Sequence, residues 1–114
     1  MNITISEFGD IGTRVVLVGK LDIVGAEQIA TPLAAVAGAR NNVVVDMAAV
    51  DFIASIGIRE LVMAAKTLAR ASRTLVLLDP NPIVSEALVT AGLGDLLPIV
   101  RSEDEARTVL SAKA

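Results

Sequence analysis

Three short aliphatic runs punctuate this chain: "VVLVG" from Val15, "VVVD" from Val43 and "LVLLD" from Leu75, with helically spaced stretches between them. A run of β-branched and aliphatic residues without polar alternation is how a strand buried on both faces reads. Parallel neighbours need long crossover connections, and the intervening segments are long enough to supply them as helices. The chain is therefore expected to form an α/β layer around a mainly parallel sheet. Both faces of that sheet need cover, from the chain's own helices or from a second copy, so a homodimer is compatible with the sequence without being required.

The other elements fall around this frame. "ITISEF" from Ile3 alternates and "GDIG" joins it to "TRVVLVG", which predicts an N-terminal hairpin. "LDIVGAEQIATPLAAVAG" carries Ile29, Leu33 and Val36 at helical spacing, with Asp22 placed to cap its start and Gly38 to stop it. Pro32 is expected to kink or shorten this helix. "NVVVDM" from Asn42 reads as a short strand, and "AAVDF" as a loop leading to a helix over Ser55–Ser72. Asn81 with Pro82 opens a helix ending near Gly92. "LPIV" is a weak last strand, and "SEDEARTVLSA" a final helix with a capping box of Ser102 and Glu105. The expectation is one domain over residues 1–114: a mixed four- to five-stranded sheet, hairpin first and parallel strands after, packed with about four helices.

Composition removes whole classes of function. Hydrophobic residues make up 54% of the chain and charged ones 20%, which favours a folded core over disorder. Aromatic residues are 2% and the net charge is −3, so neither base stacking nor phosphate-backbone attraction is available and nucleic-acid binding is not expected. The absence of Cys and His excludes thiol nucleophiles, histidine bases and zinc fingers, and no acidic run has calcium-loop spacing. No metal or cofactor is expected. An enzyme would need a Ser–Lys or carboxylate pair, and nothing in the spacing singles out Lys20 or Lys66, so no catalytic residue is assigned. No apolar run approaches a membrane span and the start lacks a signal-peptide pattern, which points to a cytoplasmic domain.

Attention narrows to "DFIASIGIREL", where Ser55 stands alone among apolar neighbours. At 100° per residue, Ile58, Leu61, Val62, Ala65, Leu68 and Ala69 form a core face, with Arg59, Lys66 and Arg70 towards the other side. Ile56 and Met63 also point outward, as scattered surface hydrophobes or as an apolar stripe edged by Arg59 and Arg70 for a partner protein. Ser55 is either an N-cap hydroxyl or a phosphate acceptor at the positive end of a helix. A phosphate there would be tolerated by the fold but costly beneath a docked partner. Gly57 lets a neighbouring backbone, or a partner, approach the first turn.

These segments, in this order, resemble the STAS-domain family, in particular bacterial anti-sigma-factor antagonists. "VVLVGKLDIVGAEQI", "NVVVDMAAVDFIASIGIRELVMAAKTL" and "TLVLLDPNPIVSEALVTAGLGDLLPIV" carry the resemblance over nearly the whole chain. Ser55 falls on the family's phosphorylated serine, Gly57 on its glycine and Ile58 on its aliphatic residue. Asp22 falls on an acidic residue that lies near the phosphorylation loop. Ala54 stands where the family has an acidic residue, and Ile56 where it has a second hydroxyl. The resemblance implies a non-enzymatic regulator that binds an anti-sigma factor with serine kinase activity while unphosphorylated. Phosphorylation at Ser55 would release it and a serine phosphatase would restore it, with Asp22, Ile56, Gly57, Arg59, Met63 and Arg70 as candidate partner contacts. The alternative is an unphosphorylated STAS scaffold in a stress-signalling or lipid-transport complex, which Ala54 and Ile56 favour.

Overall fold

A computed structural model describes residues 1–112 of the chain. Five strands and four helices follow one another as β1 (Asn2–Phe8), β2 (Gly12–Leu21), α1 (Ile23–Gly38), β3 (Asn42–Ile53), α2 (Ser55–Arg70), β4 (Leu75–Leu78), α3 (Pro82–Thr90), β5 (Ile99–Val100) and α4 (Glu103–Ala112). The sheet order is β1-β2-β3-β4-β5, antiparallel between β1 and β2 and parallel thereafter. The mixed sheet with a leading hairpin, expected from the aliphatic runs, is the sheet observed.

Alternate residues of each strand serve two separate cores. Val15 and Leu17, Val43 and Val45, and Leu75 and Leu77 face one side, where Ile29 and Leu33 of α1, Leu61 and Leu68 of α2, and Val84 and Leu88 of α3 close over them. Val44, Val76, Leu78 and Val100 face the other side and pack with Phe8 against Ala106 and Leu110 of α4. The chain thus supplies cover for both faces, with three helices on one side and α4 on the other. Cover is incomplete over β2, where Val18 remains 44% exposed.

α4 is fastened by more than its apolar face. Arg14 of β2 donates to Glu103 at the start of α4, and the guanidinium groups of Arg14 and Arg107 each lie 5.0 Å from the centroid of the buried Phe8 ring. A cation held against an aromatic face adds electrostatic attraction to the contact. Ser102 accepts from the Glu105 N–H at 3.1 Å, the Ser half of the expected capping box.

Four local expectations are corrected. "AAVDF" is not a loop: β3 continues through it to Ile53, pairing Ala49 with Val18, Phe52 with Lys20 and Ile53 with Leu21. Two register shifts in that stretch break the simple alternation, which is why its pattern did not read as a strand. Pro32 does not shorten α1, which runs sixteen residues to Gly38. The helix does stop at Gly38 as expected, and Arg40 just beyond it takes the left-handed conformation at φ 61°. α2 ends at Arg70 instead of Ser72, and on its inner side Ala64 is buried where Ala69 was expected.

Candidate functional site

In a parallel sheet the carboxyl ends of the strands all point one way, and the turns that leave them gather at one pole. Here the β2–α1 turn brings Asp22, the β3–α2 turn brings Ala54 and Ser55, and the β4–α3 turn brings Asn81. Each turn is tied to its neighbour. Ala54 donates its N–H to the Leu21 carbonyl at 3.0 Å, so the residue before Ser55 is bonded to the residue before Asp22. Asn81 donates through Nδ2 to the Val50 carbonyl at 3.1 Å, linking the start of α3 to β3.

The starts of α1 and α3 are closed by side chains. Asp22 accepts from the Gly25 N–H and Asn81 from the Val84 N–H, both at 2.8 Å. α2 is different. Its N-cap is Ala54, which has no side chain to offer, and Ser55 is the first helical residue with no cap hydrogen bond. The cap role considered for Ser55 is therefore overturned: at the first helical position its hydroxyl is one residue too late to bond the first-turn donors as a cap does. The exposed side chain of Ser55 stands at a helix start where the Ser55 and Ile56 N–H groups have no intrahelical acceptor, while Gly57 and Ile58 donate to the Ala54 carbonyl.

Gly57 explains how this start is held. A Cβ at that position would lie 2.5 Å from Leu21 Cγ and 2.7 Å from the Leu21 carbonyl oxygen. The close approach expected at Gly57 is made by Leu21 of the same chain, and Gly57 itself is buried. Gly25 is a similar case, where a Cβ would meet the Lys20 carbonyl oxygen at 2.2 Å. Bare backbone at both helix starts lets α1 and α2 sit directly on the end of β2.

Outward from this pole, Met63 is 51% exposed and lies in the groove between α1 and α2 with Ala30, Ala34 and Thr67. Ile56 is half-buried, while Arg59, Lys66 and Arg70 are exposed. Sequence reasoning missed Ile83. Its side chain, 74% exposed at the start of α3, shares a second groove with Ile53, Ile58, Ala87 and Ser55. Helical periodicity could not reveal it, because its exposure depends on where α3 lies beside α2. Among the described residues no three His, Cys, Asp or Glu side chains gather as metal ligands, and no helix is long and apolar enough to cross a membrane.

Residues 2–106 match a family model described as the STAS domain. The chain belongs to the STAS domain family. At the sequence level this STAS domain is 33% identical over 91 residues to BtrV of Bordetella bronchiseptica, a candidate anti-sigma factor antagonist by its name, covering 79% of this chain and 78% of that one. Among solved structures it resembles an anti-sigma factor antagonist from Mycobacterium paratuberculosis, with a TM-score of 0.85, 22% identity and coverage of 96% and 93% of the two chains. It also resembles the Bacillus cell fate determinant SpoIIAA in its phosphorylated form, with a TM-score of 0.71, 19% identity and coverage of 95% and 99%. The likeness to these solved structures is one of fold.

Proposed function

We propose that this STAS domain is an anti-sigma factor antagonist whose hold on its partner is switched by phosphorylation of Ser55. One observation carries the reading: Ser55 is an exposed hydroxyl at the start of α2 that makes no cap bond, beside Ile56 and one turn from Arg59. A hydroxyl engaged in capping would be needed by the fold, whereas this one is free for chemistry. BtrV, the relative at 33% identity, bears the name of an anti-sigma factor antagonist, and SpoIIAA, a neighbour in fold, takes a phosphorylated form.

The physical basis of the switch is local. A phosphate on Ser55 would face the open N–H groups and the positive end of the α2 dipole, so the fold accepts it. The same dianion would have to be stripped of water if a partner covered Ile56 and Met63, and that cost falls on the complex alone. Asp22 contributes by fixing the start of α1 beside the Ser55 turn, while Arg59, Met63 and Arg70 present the outer side of α2 to the partner. ATP and magnesium belong to the partner kinase, and a serine phosphatase resets the cycle.

The test mixes the purified domain with its cognate anti-sigma factor kinase and ATP and follows intact mass. One added phosphate is expected in the wild type and none in Ser55→Ala. An active kinase that leaves the wild type unmodified, or modifies a different residue, would support the scaffold reading favoured by Ala54 and Ile56.

A further inference from the structure

The outer side of α2 carries a line of positive charge. Arg59, Lys66 and Arg70 are all exposed, and none takes part in an ion pair among the described residues. At 100° per residue they fall within about 40° of one another around the helix, and at 1.5 Å per residue they span about 16 Å of its length. Met63, 51% exposed, stands between them. Met63 lies on the side of the strip that borders the α1–α2 groove, which the single acidic side chain of α2, Glu60, also lines.

This strip is at odds with the rest of the molecule. The chain as a whole has thirteen acidic residues against ten basic ones. Away from α2, four of the five arginines are engaged: Arg14 meets Glu103, Arg101 meets Asp79, Arg107 meets Asp104, and Arg73 donates to the Arg40 carbonyl, while the exposed Arg40 side chain makes no ion pair among the described residues and lines a groove with Arg70. Three unpaired cations along one helix of an acidic protein, continued past its end by Arg40 beside Arg70, give that side of the molecule a local attraction for anions.

Resting on the antagonist reading above, we infer that the strip docks an acidic, apolar-centred surface of the anti-sigma factor, and that it governs the rate of encounter. The partner face would place carboxylates opposite Arg59, Lys66 and Arg70 around a seat for Met63. A phosphate on Ser55 lies one turn from Arg59 at the end of the same strip. It adds negative charge where the partner's carboxylates must come and engages Arg59, so phosphorylation slows association as well as weakening the final contact.

Stopped-flow association of the unphosphorylated domain with the anti-sigma factor kinase, from 50 to 500 mM salt, tests this. The association rate constant is expected to fall about tenfold or more across that range. Lys66→Glu and Arg70→Glu should each slow it several-fold at low salt and have little effect at high salt, with thermal unfolding midpoints unchanged. Lys66→Gln should fall between wild type and Lys66→Glu. A complex that forms at a salt-independent rate, or faster for Lys66→Glu, overturns the inference while leaving the antagonist reading intact. No complex with the wild type at any salt removes both. Cosedimentation of the wild type with vesicles of anionic phospholipid would also overturn it, by showing that the strip serves a lipid surface.

Discussion

Leu21 and Gly57 meet so closely that the end of β2 and the first turn of α2 behave as one piece: a methyl group on Gly57 would lie 2.7 Å from the Leu21 carbonyl oxygen, the atom that accepts the Ala54 N–H. That oxygen is held by its own hydrogen bond and cannot yield as a flexible side chain would. Gly57→Ala gains up to about 1 kcal/mol in helix propensity but forces backbone apart, an overpacking cost of about 1–3 kcal/mol. A net loss of stability is expected, read as a lower urea midpoint. An unchanged or raised midpoint would show that α2 can lift from Leu21 at no cost.

The starts of α1 and α2 should respond differently to loss of a polar side chain. Asp22→Ala removes the bond to the Gly25 N–H and should cost about 1 kcal/mol. Ser55→Ala should stay within about 0.5 kcal/mol of wild type, because no cap bond is lost. Chemical denaturation of the pair checks this. Equal losses would mean that the Ser55 hydroxyl supports the fold.

Met63 and Leu61 separate binding from folding on one helix. Leu61 is fully buried, so Leu61→Ala should cost about 2–5 kcal/mol. Met63→Glu should leave the unfolding midpoint nearly unchanged and weaken kinase binding, measured by calorimetry. Unfolding of Met63→Glu would show that its contacts with α1 carry stability.

Glu103 supplies a prediction in pH. Its hydrogen bond from Arg14, with the attraction of that guanidinium and a smaller contribution from Arg107, holds its carboxyl below the usual carboxylate value of 4.5. A carboxylate with a lowered pKa in the folded state adds stability above the unfolded value, and that stability is lost as pH falls through the folded one. Glu103→Gln should therefore be less stable than wild type at pH 7, with the gap narrowing as pH falls below 4.5. Urea midpoints measured from pH 7 into the acid range give the answer, and a gap that does not narrow with falling pH would assign the effect to something other than charge.

The aliphatic runs at Val15, Val43 and Leu75 determined the α/β class and the element order, and the alternation from Ile3 with its Gly-rich turn determined the hairpin, because burial on both faces, crossover length and turn chemistry are properties of the chain itself. The caps at Asp22 and Asn81 were legible for the same reason, since a cap bonds within three residues of its own position. The extension of β3 to Ile53 was not, because its pairing partner is Leu21, thirty-two residues earlier in the chain, and bulges there spoil the local pattern. Ser55 could be found in the sequence as a lone hydroxyl but not told from a cap. Only the tertiary structure decided that Ala54 occupies the cap position, because Leu21 fixes where α2 begins. Exposure of Ile83 beside Ser55 likewise depends on how α3 packs next to α2, a relation between distant segments that no local periodicity encodes.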